Sequence, residues 1–155
     1  MRRVMAVHCD ADCFIHLGDG APGFMSLCEG EGLFALAVKG NCDFYSQYEL
    51  PSEIIHKFED YRFFITHGNR YGVSFSKQSL EEAARLNRCD VALFGHTHVA
   101  YSEYITADGT SKKGLYLFNP GSLCIPRDGA CSYGVIIIRS GQILFNSALL
   151  DDLNK

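Results

Sequence analysis

The hydrophobic pattern divides this chain into an early part where strands and helices alternate and a late part built of hairpins. Residues Val4 to Cys9 have weak helical character, with Val4 and Val7 on one side. Cys13-Phe14-Ile15-His16-Leu17 is a short apolar run stopped by Gly18-Asp19-Gly20, the pattern of a buried strand entering a loop, and Pro22-Gly23 continues that loop. Leu33 to Val38 reads as a second buried strand, ended by Gly40-Asn41. Glu53 to Phe58 and Arg62 to Thr66 form a predicted hairpin around Glu59-Asp60. Ser76 to Asn87 is the clearest helix: Leu80, Ala83, Ala84 and Asn87 share a face, and Ser79 with Glu82 fits a capping box. Asp90 to Phe94 returns as a strand. Tyr101 to Thr106 and Leu115 to Phe118 then flank a turn signal at Asp108-Gly109, and Tyr133 to Arg139 and Gln142 to Ser147 flank another at Ser140-Gly141. This order predicts two packed sheets with helices outside. With no linker and 155 residues, it predicts a single domain spanning 1–155.

Composition narrows the function classes. A hydrophobic fraction of 47% and a charged fraction of 21% are those of a globular domain, and no apolar run is long enough to span a membrane. A net charge of −4 argues against a nucleic-acid polymer as partner. The seven cysteines, Cys9, Cys13, Cys28, Cys42, Cys89, Cys124 and Cys131, lack the spacing of a zinc or redox motif. They read as reduced thiols of a cytoplasmic protein, with Cys124 and Cys131 as small apolar fillers.

The chemistry sits where strands end. Four times an apolar strand runs into a loop that opens with a potential metal ligand: Gly18-Asp19, Gly40-Asn41-Cys42-Asp43, His67-Gly68-Asn69 and Gly95-His96-Thr97-His98. Strand ends on one sheet edge bring such loops together. Carboxylate, amide oxygen and imidazole suit borderline divalent ions such as manganese, iron, nickel or zinc. Asp19 is the natural bridge between two cations. Asp43 is read as orienting its loop rather than ligating. His8, His16 and His56 are not read as ligands.

These four loops, in this order, resemble the motifs of the calcineurin-like metallophosphoesterases. The Asn41-Cys42-Asp43 form, Asn119-Pro120-Gly121-Ser122 and Pro126-Arg127 resemble the small bacterial and archaeal phosphodiesterases of the YfcE type. The resemblance implies a four-layer α/β sandwich, two mixed β-sheets flanked by helices. It implies a phosphodiesterase, with phosphomonoesters as second substrates, acting through a hydroxide that bridges two divalent cations, manganese foremost. One cation would take Asp19, Asn41, His67 and His96; the other would share Asp19 and take His98. Asp19, Asn41 and His96 would form the catalytic centre, with Asp43, Asn69 and Arg127 behind the ligands or on a small phosphoester substrate.

Two features depart from the family pattern. The family completes its second metal site with Asp-x-His after a first strand, and this chain contains no Asp-x-His. The expectation is an N-terminally truncated domain lacking on the order of 15–20 residues and its first strand. Its second metal site would be incomplete, and a bared strand edge would invite self-association into a homo-oligomer. His67-Gly68-Asn69 stands where the family often has His-Gly-His, which bears on substrate contacts. The rival readings are a non-catalytic protein-binding scaffold of the same fold, as in the retromer subunit, and an inactive fragment of the enzyme.

Overall fold

Strands with apolar residues on both faces must be covered on both, and that requirement organises the chain. The computed structural model describes residues 1–44, 48–107 and 113–154. Its central sheet contains β3 (Glu53–Phe58), β4 (Tyr61–Thr66), β5 (Val91–Leu93), β6 (Ala100–Ile105) and β7 (Leu115–Pro120), in the order β3-β4-β5-β7-β6. β4, β5 and β7 run parallel, and β3 and β6 close the edges antiparallel. Side chains alternate between the faces along each strand. Phe64, Ala92, Phe94, Leu115 and Leu117 point one way, into a cluster with Leu80 and Ala84 of α3 (Gln78–Leu86). Phe63, Ile65, Val91, Leu93 and Phe118 point the other way.

That second face is covered by two separate strand pairs. β1 (Phe14–His16) and β2 (Ala35–Ala37) are parallel and contribute their own residues Ile15 and Leu36, with Leu17 and Val38 just beyond their ends. β8 (Ser132–Arg139) and β9 (Gln142–Leu149) form a hairpin that contributes Ile136, Ile138, Ile143 and Phe145. Outside β1 and β2 lie α1 (Arg2–Val7) and α2 (Ala21–Glu31), whose Met5, Ala21, Phe24 and Cys28 bury against Ala37 and Phe14. Helices, paired strands, central sheet and helix stack as the four layers of an α/β sandwich. Full burial of each large apolar side chain contributes roughly 1.5–3 kcal/mol.

Three local expectations need correction. Pro22-Gly23 does not continue a loop but lies in the first turn of α2. Proline is tolerated there because its missing N–H would have no intrahelical partner. Glycines at 23 and 30 weaken the helical signal, and burial of Ala21, Phe24 and Cys28 overrides them. The following strand is shorter than Leu33 to Val38, because the Leu33 N–H donates to the Cys28 carbonyl at 2.9 Å and so belongs to the helix ending. The Ser79–Glu82 capping box does not form. α3 begins at Gln78, which leaves Ser79 inside the helix, and Ser76 Oγ accepts the Gln78 N–H at 3.2 Å instead. In α1 the buried residue is Met5, while Val7 is exposed. The turns at Glu59-Asp60 and Ser140-Gly141 connect hairpins as expected; Ser140 and Gly141 both have positive φ, 52° and 74°, as a type I′ turn requires. Asp108-Gly109 lies outside the described residues. Among the described residues no helix is long and apolar enough to cross a membrane.

Candidate metal centre

Parallel strands end at the same edge of a sheet, and here two such edges meet. The segments after β1 and β2 in one layer face those after β4 and β5 in the next. His67, 2% exposed, joins the layers: its Nδ1 lies 2.6 Å from the Leu17 carbonyl oxygen. A carbonyl only accepts, so Nδ1 carries the proton, and in the neutral ring Nε2 presents a lone pair. That lone pair faces Asn41 Oδ1 at 3.0 Å, His96 Nδ1 at 3.3 Å and Asp19 Oδ2 at 3.5 Å.

Asp19 is held by its neighbours rather than by its own strand. It adopts φ 55°, and its Oδ1 accepts the Cys42 N–H at 2.7 Å. The chain behind it is fixed by Asp43, which is 7% exposed. The Asp43 carboxylate accepts the N–H groups of Asp19 at 3.0 Å, Gly20 at 2.7 Å and Gly40 at 2.9 Å. Burial alone would push this carboxyl up; the three N–H groups outweigh it and hold it below its ordinary value. Gly40 is required by the close approach, since a Cβ there would lie 2.1 Å from the Asp19 nitrogen.

The loop after β5 is stitched in the same way. The Gly95 N–H donates to the His67 carbonyl at 3.1 Å. His96 and His98 both take left-handed backbone, φ 65° and 59°. Burial, then the neighbouring His67, push the His96 pKa down, which keeps its ring neutral and able to ligate. His98 Nδ1 donates to the Ile125 carbonyl at 2.8 Å, leaving Nε2 as its available lone pair.

The donor set fits a divalent cation. Bonds of about 2.0–2.2 Å to nitrogen and oxygen place neighbouring ligand atoms roughly 3.0–3.5 Å apart. That is the separation of Asn41 Oδ1, His96 Nδ1 and Asp19 Oδ2 from His67 Nε2. A single proton relieves only one of these contacts between lone pairs; a cation relieves them together. Among the described residues no three His, Cys, Asp or Glu side chains form a ready-made cluster. The convergence therefore depends on an amide, Asn41, alongside the carboxylate and the imidazoles.

Of the residues singled out in the sequence, Asp19, Asn41, His67 and His96 are brought together. His98, two residues beyond His96, is oriented by the Ile125 carbonyl, and Asp43 lies behind Asp19. Asn69 is exposed in the one-turn helix Asn69–Tyr71, and among the described residues its side chain makes no hydrogen bond to the centre. Arg127 is exposed, with its N–H donating to the His98 carbonyl at 2.9 Å. Three supporting roles escaped the sequence reading. The fully buried Asn119 amide donates to the Gly95 carbonyl at 2.9 Å and Thr97 Oγ1 at 3.0 Å. Asp128 Oδ2 accepts the Ala100 N–H at 2.6 Å. His16 Nδ1 accepts the Gly18 N–H at 3.2 Å. The remaining non-ligand histidines are engaged elsewhere: His8 Nε2 lies 3.1 Å from the Tyr133 hydroxyl, and His56 packs on Phe58.

Residues 1–141 match the family model described as the calcineurin-like phosphoesterase superfamily domain. The chain belongs to the calcineurin-like phosphoesterase superfamily. Within it, the chain is similar to phosphodiesterase YfcE of Escherichia coli strain K12, 32% identical over an alignment of 112 residues that covers 65% of this chain and 51% of that protein. The chain thus spans about half the length of this curated relative. A predicted phosphoesterase of Streptococcus pneumoniae, solved as a conserved uncharacterised protein, superposes with a TM-score of 0.75 at 26% identity, covering 96% of this chain and 80% of that one. Vps29 of Entamoeba histolytica, solved in complex with zinc, shares the fold at a TM-score of 0.58 and 18% identity, covering 81% of this chain and 74% of that one.

Proposed function

We propose that this member of the superfamily is a metal-dependent phosphoesterase, acting on phosphodiesters first and phosphomonoesters second. The observation that carries the reading is the convergence of Asn41 Oδ1, His96 Nδ1 and Asp19 Oδ2 on His67 Nε2. Asp19, Asn41, His67 and His96 would hold one divalent cation, and Asp19 with His98 would contribute to a second. Manganese suits the set, as do iron, nickel and zinc; the zinc-bound Vps29 supports the chemistry of the fold but does not select the metal. Bound cations supply Lewis-acid polarisation of the phosphoryl oxygens and an activated water. The chain's own residues do the positioning. The Leu17 carbonyl fixes the His67 tautomer, the Ile125 carbonyl fixes that of His98, and Asp43 sets the Asp19 backbone. Asp19 offsets part of the cationic charge, and no protein nucleophile is needed.

The partner is a small phosphoester, in a compartment read as cytoplasmic. The likeness to Vps29 keeps a non-catalytic protein-binding scaffold as the second reading, and one assay separates the two. Hydrolysis of bis(p-nitrophenyl) phosphate and p-nitrophenyl phosphate is measured with manganese, with zinc and after chelation. Metal-dependent turnover lost in Asp19→Asn supports the enzyme. Metal binding without turnover of either ester would favour the scaffold.

A further inference from the structure

His96 and His98 both have left-handed backbone, φ 65° and 59°, although neither is glycine. That conformation presses Cβ against the following carbonyl oxygen, so it persists only where the surroundings impose it. Among the described residues no other two non-glycine positions of this kind stand so close in sequence. The loop therefore needs an anchor outside itself, and Asn119 supplies one.

Asn119 is fully buried in β7, opposite Tyr101 of β6, and β5 pairs with the other side of the same strand. Its side chain makes three bonds. Nδ2 donates to the Gly95 carbonyl at 2.9 Å and to Thr97 Oγ1 at 3.0 Å, while Oδ1 accepts the Gly121 N–H at 3.0 Å. Only one orientation of the amide satisfies all three, so the strand aims both its donor bonds at the loop. The Gly95 carbonyl also accepts the Thr97 N–H at 2.7 Å. Thr97 Oγ1, accepting from Asn119, gives its own proton to the Val99 carbonyl at 3.3 Å. A run of hydrogen bonds thus leaves the central sheet and fixes the backbone on either side of both histidines.

The two rings are held differently. His98 is fastened a second time, its ring by the Ile125 carbonyl and its own carbonyl by the Arg127 N–H. Among the described residues no carbonyl orients the His96 ring, whose Nδ1 meets His67 Nε2 at 3.3 Å. The direction of His96 depends on its backbone, and that backbone depends on Asn119.

We infer that Asn119 is a positioning residue of the metal centre: from the buried end of β7 it imposes the left-handed backbone that presents His96, and with it His98, to a cation. The inference rests on the metal reading of the centre. It deepens that reading by assigning the geometry of two ligands to a residue outside the ligand set.

The test compares the unsubstituted protein with Asn119→Ala and Thr97→Val. The first removes the whole amide. The second keeps the Asn119 bonds to Gly95 and Gly121 and removes only the hydroxyl, so it decides the question should Asn119→Ala fail to fold. Manganese affinity is measured by titration and stability in chelator by chemical denaturation. Carbon and nitrogen chemical shifts of the metal-free protein report the backbone at 96 and 98. Asn119→Ala is expected to bind manganese about 10- to 100-fold more weakly, the scale for losing a group that orients ligands. It is also expected to lose the left-handed shifts at 96, while those of the central strands stay in place. Thr97→Val is expected to weaken binding in the same direction and by less. A residue that only stabilised the fold would lower stability and leave the folded protein's affinity and these shifts unchanged. Parental affinity in either folded variant, or left-handed shifts that persist at 96 in Asn119→Ala, would overturn the role. No manganese bound by the unsubstituted protein would reject the centre itself, whereas equally tight binding by parent and variants rejects Asn119 alone.

Discussion

His67 Nδ1 donates to the Leu17 carbonyl oxygen across 2.6 Å, and this one bond ties the end of β4 to the end of β1 in the neighbouring layer. The same bond dictates which His67 nitrogen is left to bind a cation. Fold and centre are therefore coupled at this residue. His67→Ala removes a proposed ligand and leaves the half-buried Leu17 carbonyl without its donor. Chemical denaturation in chelator should show a loss of about 1–3 kcal/mol. Added manganese should stabilise the unsubstituted protein but not the variant. A variant as stable as its parent in chelator would mean that the bond contributes nothing to the fold.

Asp43 should act as a pH-sensitive brace. Its folded pKa lies below the ordinary value of 3.8, so its contribution is fully present above that value and is lost as pH falls through it toward the folded pKa. Asp43→Asn should remove the contribution at neutral pH by setting an amide N–H₂ against backbone donors, at a cost of about 1–3 kcal/mol. The stability gap between the two proteins should narrow in acid. A gap that stays constant from neutral pH to well below 3.8 would contradict the brace.

Metal stoichiometry should be unequal. Under the proposed assignment four side chains, Asp19, Asn41, His67 and His96, would hold one cation, while only Asp19 and His98 would contribute to a second. Titration followed by elemental analysis should give one tightly held ion per chain. Asp19→Ala should lower activity more than His98→Ala, because in that assignment Asp19 would serve both cations and brings the negative charge. Two equally tight ions, or equal residual rates at saturating metal, would contradict this arrangement.

Cys42 should be a bystander in the chemistry. The charge of Asp19, then a hydrogen bond to that carboxylate, push its thiol pKa up. Alkylation at neutral pH should be slow and should accelerate several-fold in Asp19→Asn, following the larger thiolate fraction. Cys42→Ser should retain most hydrolysis. Loss of turnover with metal content unchanged would require a different mechanism.

The sequence determined the strands that bury both faces, because short continuous apolar runs bounded by polar or turn residues, such as Phe63 to Ile65 and Val91 to Phe94, suit a strand covered on both sides. It also determined the two-residue hairpins, where Ser140-Gly141 encodes positive φ, and the ligand types at the strand ends. It concealed α2, since Pro22 and Gly23 look like loop residues until burial of Phe24 and Cys28 decides otherwise. The distances were beyond it as well. Asp19 and Asn41 are 22 positions apart in the chain, and His67 and His96 a further 26 and 29; only the stacking of β1-β2 on the central sheet makes them neighbours. Asp128 and the Leu17 carbonyl had no local signature, and the motif at Asn119 did not reveal its role, because all three act through hydrogen bonds to groups brought near by the fold. Local pattern specifies which groups a strand presents, while the packing of layers decides which of those groups meet, because that depends on contacts remote in sequence.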